Sequence, residues 1–442
     1  MLWNGPVFGQ GASVAHIMQN GLGIRPHTGL MENKFMRGIA GTMQMQKIKA
    51  TPFISYTQLS ATLNDKEETP FITSINYSGL HRTPTELKNR NALKQLNYGV
   101  NLEYQQKGLK LGTTLLATHF DIPLKLNTRT YNQYRFEGNH LQNIGFNYQY
   151  GLYNLLVFGE TAHSIASGWA NNHGIIAALG KKFSGSIHYR NYSTDYHSFL
   201  AQSFQSQSNL SNERGWHTSL VFHPNRKIEW MNSFDFVEFP EQRYRVLKAS
   251  NSFQARSQIS FLWYKKGHLR FRYQYKYSEE NFPADFKEQS RLAQVVQQQA
   301  RIIFQFKLNP SIQIGNQIEA KQYHKSIIGK YYGFQVFQDI MWNKPKWKVA
   351  GNFRVLYFNT DGFESRVFSY ERDVLYSFSF PSYYREGLRF YINKKIKPIK
   401  GFDIWMRYAI TNYFHISEIS SGLNKIEGNK KSDIRLQIRY SW

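Results

Sequence analysis

Cysteine is absent from the 442 residues, which excludes a disulfide framework, a thiol nucleophile and a zinc–thiolate centre. Long apolar runs are missing too. None approaches the roughly 18 residues that a membrane helix needs, so a helical membrane protein is excluded. Acidic residues are scarce: 30 Asp and Glu stand against 55 Lys and Arg, a formal charge of +25. Hydrophobic residues reach only 41% of the chain, yet aromatics alone make up 16%, far too many for a disordered polymer. Gly and Pro, at 31 and 13, are near ordinary usage and remove collagen-like and low-complexity readings. Linkers and helical stretches, which a soluble multidomain chain of this length would carry, are nearly missing.

What is present is an alternation of period two. In HLRFRYQYKY, Leu269, Phe271, Tyr273, Tyr275 and Tyr277 alternate with Arg270, Arg272, Gln274 and Lys276. Successive side chains on a strand point to opposite faces, so this strand has one aromatic and one polar face. Residues 96–104, 300–308, 311–321, 346–358 and 432–442 repeat the pattern. A soluble sandwich or propeller would also alternate, but its strands average about five or six residues. Runs of 9–13 residues suit a tilted membrane span. Polar positions filled by Arg, Lys, Gln and Asn suit a wet interior. The pattern predicts an all-β fold: a transmembrane antiparallel β-barrel with a polar, basic lumen.

Connection lengths organise it. Short connections (105–108, 151–152, 181–182, 223–226, 264–267, 308–311, 343–346 and 397–401) alternate with long ones, such as 78–95, 193–214, 278–299 and 414–431. Outer-membrane barrels have short periplasmic turns and long extracellular loops. To keep this alternation, 371–396 must be one descending element, bent or bulged at Pro381, which has no N–H to donate. The barrel then covers 36–442 with about twenty strands, in the outer membrane, both termini periplasmic. Residues 1–35 read as an N-terminal segment, either a plug or a remnant of upstream strands. They carry no signal-peptide pattern, and the expectation is that the true beginning lies upstream.

Several punctuating segments carry a resemblance: GLGIRPHTG and ENKFMRGIAG within 21–41, SGLHRTPTEL (78–87), FGETAHS (158–164), YRNYSTDYHSFLAQSF (189–204) and NERG (212–215). YERDVLYSFSFPSYYREGLRFYIN (370–393) and SGLNKIEGNKKSDIRLQIRYSW (421–442) complete the set. Together they resemble the large outer-membrane barrel proteins of Bacteroidota known as helix-hairpin-helix-domain-containing. That resemblance implies a barrel in a Gram-negative envelope. The family's signal peptide and helix-hairpin-helix modules have no counterpart in this sequence, which weakens any nucleic-acid role, and the resemblance implies no catalytic residues.

Candidate residues fall into three groups. Arg270, Arg272, Lys276, Arg435 and Arg439 sit at alternate strand positions, where a barrel would turn them into its lumen. His81, Arg82 and Glu86, with Glu160, His163, Tyr189, Arg190 and Tyr192, read as a hydrogen-bonded rim network. For the tyrosines of 189–196 an interfacial girdle is the stronger expectation. Ile438, Tyr440 and Trp442 end one apolar face and resemble the signal that barrel-assembly machinery reads. The histidines show no metal spacing, and no GxSxG turn supports a Ser164–His163 pair. No cofactor is expected.

The leading expectation for function is a non-enzymatic transport pore, or a membrane anchor or scaffold of an envelope complex. A nucleic-acid uptake component and an outer-membrane hydrolase are the alternatives. The expected partners are membrane lipid and lipopolysaccharide, which loop cations such as Lys425, Lys430 and Lys431 would meet, the assembly machinery, and other envelope proteins. Nucleic acid is disfavoured.

Overall fold

The computed structural model describes residues 14–18, 24, 27, 35–126, 129–283 and 291–442. Twenty-two strands share one sheet, and consecutive strands pair antiparallel around it. Many far exceed soluble lengths: Leu292–Asn309 has 18 residues and Leu109–Lys125 has 17. Among the described residues no helix is long and apolar enough to cross a membrane.

The alternation read from the sequence is the alternation of the wall. In Glu213–Asn225, Gly215, His217 and Ser219 are buried while Trp216 and Leu220 are exposed. In Gly267–Asn281, Phe271 and Tyr273 are exposed on the face opposite Arg270 and Arg272. The outer face carries a belt of exposed Ile144, Ile175, Ile187, Ile302 and Ile318 with aromatics on either side, as lipid contact requires. Phe271→Arg near the midplane should therefore cost about 2–4 kcal/mol. Arg272→Gln should fold close to wild type. Equal folding yields for the two in micelles would mean the faces are inverted.

Tight turns close one end of the wall. Gln46, Lys107 and Tyr153 have φ near +50° in two-residue hairpin turns, and Lys265 has it in the three-residue turn 264–266, as such turns demand. The turn expected at 151–152 lies at Tyr153–Asn154, because Leu152 still pairs with Leu155.

Two segments read as wall are not wall. The chain between 60 and 77 forms only a short hairpin, Ala61–Asn64 with Phe71–Ile75. It is interrupted by Asp65–Glu68, and among the described residues its one bridge to the wall is parallel, Ile72 to Leu124, with Ile72 in one buried cluster with Leu93, Phe120 and Leu124. Its four- and five-residue arms fall short of the ~9–11 a span requires. Likewise 371–396 is not one element. Only Glu386–Ile396 is wall, and Val367–Phe368 pairs with Ser382–Tyr383 in a separate hairpin.

Taking Gly38–Ala40 and Met43–Met45 as one interrupted strand, nineteen strands form the continuous meander among the described residues. That is close to the expected total of about twenty, though the described strands do not make an even number. An odd count gives both edge strands one polarity. Gly38 pairs with Ser55 and Met45 with Ile48, while Lys430 pairs with Asn412 and Tyr440 with Phe402. Each runs from the long-loop rim to the short-turn rim. No ladder joins them among the described residues. At the long-loop rim two connections near these edges are joined by Arg82, whose Nη1 donates to Asn424 Oδ1 at 2.8 Å.

Candidate functional site

The lumen is narrowed by two segments that fold inward. The first is 193–212. Ser164 Oγ donates to the His197 carbonyl at 2.7 Å, Asn172 Nδ2 to Ser203 Oγ at 2.8 Å and the Tyr192 hydroxyl to the Phe204 carbonyl at 2.8 Å. Arg190 is the hub. Fully buried, it donates to Glu213 Oε1 at 2.5 Å, to both Asp235 oxygens at 2.8 and 3.0 Å and to Ser206 Oγ at 3.1 Å. Its guanidinium stands 5.0 Å from the Phe204 ring centroid. Ile17, from the turn Val14–Ile17, is buried against Phe158 and Phe204. The rest of the expected N-terminal plug or remnant falls almost wholly outside the described residues.

The second inward segment is 361–385. Glu371, fully buried, accepts from Arg389 Nε and Nη2 at 3.1 and 2.9 Å, from the Tyr383 hydroxyl at 2.5 Å and from Arg407. Arg354 pairs with Asp339 at 2.6 Å and donates to Ser369 Oγ at 2.6 Å. Because these arginines and acids sit on different strands, the segment is held by charge-assisted bonds along the inner wall.

Between the first segment and the wall lies a cavity of about 1220 Å³, lined in part by Gln95, Asn97, Arg256 and Lys276. A second, of about 470 Å³, lies toward the short turns beside Arg372, Asn393 and Trp405. The wall beside the first cavity carries a basic stripe. Arg272 donates to Gln258 Oε1 at 2.9 and 2.7 Å, Arg256 to Gln274 Oε1 at 3.3 and 3.0 Å, and Arg270 to Ser260 Oγ at 3.3 Å. Arg272 stands directly opposite Arg301 on the next strand, and Arg301 pairs with Glu319 at 2.7 Å. Lys276 sits opposite Gln297. Arg435 pairs with Asp373, and Arg439 with Asp403 at 2.6 Å.

The residues grouped as a rim network do not come together. His81, Arg82 and Glu86 form a local cap on the helix Pro84–Lys88. Thr83 Oγ1 accepts from Glu86 N at 3.1 Å, as an N-cap residue does, and Glu86 accepts from Arg82 N and Nη2 at 2.6 and 3.1 Å. His81 Nδ1 is 3.4 Å from the Glu86 carbonyl. The Arg82 side-chain bond holds the Glu86 carboxyl below its usual range. Glu160 faces inward, near enough to Tyr192 and Tyr196 for its charge to act on both. His163 faces outward, stacked 4.2 Å from Trp169. Tyr189 is also outside, 4.7 Å from Trp216, while Arg190 and Tyr192 turn inward. Neighbours on a strand alternate, so Tyr189 lies on the outer face that a girdle would occupy and Tyr192 on the inner one. Ser164 and His163 diverge for the same reason and form no dyad. Among the described residues no group of three metal-ligating side chains is assembled.

Arg190 was legible as a residue but not as a hub. Its acids, Glu213 and Asp235, come from two other strands and are spaced 23 and 45 residues away. The one signal was their parity: Arg190, Glu213 and Asp235 all occupy inward positions.

A polar, charge-lined interior inside an antiparallel wall with an apolar belt defines a transmembrane β-barrel of the outer-membrane type. No family model matches the chain, and no curated protein matches it. Among solved structures it is similar to OccK11 (OpdR) of Pseudomonas aeruginosa, with TM-score 0.36, 7% identity, and 79% of this chain and 91% of that one covered. It is also similar to the FrpB iron transporter (F5-1 variant) of Neisseria meningitidis, with TM-score 0.45, 9% identity, and 91% and 71% covered. A third is OpdK of Pseudomonas aeruginosa with vanillate, with TM-score 0.39, 6% identity, and 79% and 92% covered. At such scores these likenesses carry nothing about what this chain does.

Proposed function

We propose that the chain is a non-enzymatic outer-membrane transport pore whose lumen favours anions. One observation carries this: Arg272 and Arg301 face each other on neighbouring strands, with Arg256 and Arg270 on the same inward face. Like charges directly opposed across a ladder are destabilising. In a water-filled pore such a cluster draws anions in and repels cations. The two inward segments favour the second reading, a narrowed barrel that anchors an envelope complex. The nucleic-acid alternative is disfavoured because the stripe stands inside the wall. The hydrolase alternative lacks its Ser–His geometry.

The short turns and the C-terminus are placed in the periplasm and the long loops outside, in line with the resemblance to the Bacteroidota barrel family. A protease site inserted in 414–431 should then be cut in intact cells and one in 264–267 protected; the reverse would invert the barrel.

Transport itself is tested by liposome swelling. Vesicles containing the purified barrel should admit glucuronate several-fold faster than glucosamine. Equal or reversed rates would contradict the anion preference.

A further inference from the structure

The cavity between 193–212 and the wall has two unlike sides. On one, Arg135, Arg243 and Lys276 reach it from the connection before Glu137, the connection before Ser250 and the strand Gly267–Asn281. Among the described residues neither the Arg135 guanidinium nor the Lys276 ammonium has a hydrogen-bond or ion-pair partner. Arg243 donates to Ser250 Oγ at 3.4 Å and to the Glu279 carbonyl at 3.3 Å, and stands 4.3 Å from the Phe239 ring centroid. It is held in place without a carboxylate. Arg243 and Lys276 are close enough for their charges to repel. The described lining contains one carboxylate, Asp235, and Arg190 takes both of its oxygens at 2.8 and 3.0 Å. Partly buried cations are costly unless an anion meets them.

The other side is made of amides and hydroxyls, those of Gln202, Gln205 and Gln207 with Ser203, Ser206 and Ser208. Gln205 Nε2 donates to the Gln207 carbonyl at 2.9 Å and Gln207 Nε2 to the Asn212 carbonyl at 3.0 Å, which fixes how these amides point. The buried Oε1 atoms of Gln202 and Gln205 accept no hydrogen bond among the described residues. A buried acceptor calls for a donor. A bare anion cannot be that donor, whereas a hydroxyl can.

We infer that this cavity is a binding site for sugar phosphates: a phosphomonoester carried on a hydroxyl-rich frame. Such a phosphoryl group holds nearly two negative charges at neutral pH, and guanidinium forks and an ammonium both suit it. Its hydroxyls supply the donors that Gln202 and Gln205 call for. The cavity, about 1220 Å³, exceeds an ordinary small-ligand site of roughly 300–1,000 Å³, so the solute keeps part of its hydration and can leave again. Arg272 and Arg270 continue the inward face of Lys276 toward the short turns, ending about 20 Å away, each bonded to a neutral acceptor. The inference rests on the pore reading, since it names what the lumen takes, but binding is measurable without conduction.

The test is calorimetric titration of the purified barrel in micelles, near neutral pH, with glucose 6-phosphate, glucuronate, glucose and inorganic phosphate. Glucose 6-phosphate should bind more tightly than each of the other three by about ten-fold or more. Arg135→Gln with Lys276→Gln should weaken it by about the same factor. Gln202→Met should narrow its margin over inorganic phosphate. None of these three side chains makes a hydrogen bond that the described fold uses, and heat-modifiability gels verify that the variants fold. Glucuronate or inorganic phosphate bound as tightly as glucose 6-phosphate would overturn the inference. So would an unaffected Arg135–Lys276 variant, or an unchanged margin in the Gln202 variant. Tight glucose 6-phosphate binding by a barrel that admits glucuronate no faster than glucosamine would instead sink the pore reading and leave the site standing.

Discussion

Glu371→Gln should unfold at a lower urea concentration than wild type, by an amount equivalent to about 3 kcal/mol. Glu371 is the shared acceptor of Arg389 and Arg407, and Glu371 and Arg407 are wholly buried. Removing one partner of a buried ion pair costs roughly 3–5 kcal/mol, because the other charge is left without compensation. The lower end applies here. Asp433 still reaches Arg407 at 2.8 Å and Arg389 at 3.4 Å. The second consequence is local. With its central acceptor gone, the segment 361–385 keeps Arg354, Gln335 and Lys321 on its other side. Added protease should therefore cut it first near Arg372 and Arg385. An unchanged urea midpoint would mean that the network is solvated and contributes little.

Deleting Tyr440 to Trp442 should have the largest effect of all: loss of the protein from the outer membrane, with the remainder degraded or aggregated in the periplasm. Among the described residues the final strand, Lys430–Tyr440, pairs on one side only, from Asn412 to Phe402. Its outward residues Ile434, Leu436 and Ile438 are exposed, and the Tyr440 ring packs 4.8 Å from Phe402. An unpaired edge is not tolerated in hydrocarbon, so this strand must be handled during insertion. Its terminal aromatic face is the feature we expect the assembly machinery to hold. Membrane fractionation decides it. Normal insertion of the truncated chain would remove the assembly-signal claim.

The wall was legible because lipid on one side and water on the other force a strict two-residue period. Leu269 to Tyr277 could be assigned a face with no structure at all. What the period does not encode is whether an extended segment stands in the wall or lies upon it. Residues 365–371 alternate as a wall strand does, yet they lie upon the wall rather than in it. The distinguishing sign was parity of polarity. Ser365, Ser369 and Glu371 occupy the buried positions, whereas Tyr370, Phe378 and Phe380 are exposed to the lumen. In 60–77 the acidic run at Asp65 to Glu68 was the warning, since it leaves arms too short to cross a bilayer. The basic stripe could be named from Arg270, Arg272 and Lys276. The acids that pin the inward segments could not, because Glu213, Asp235 and Glu371 acquire their partners only through cross-strand register and loop folding.

The central claim is an ion-conducting barrel with a basic interior, and the most direct test is the current–voltage curve of the purified wild-type protein in a planar bilayer under a KCl gradient. Steady single-channel conductance is expected, with a reversal potential of the sign set by chloride. A silent barrel, or a reversal potential of the sign set by potassium, would contradict it.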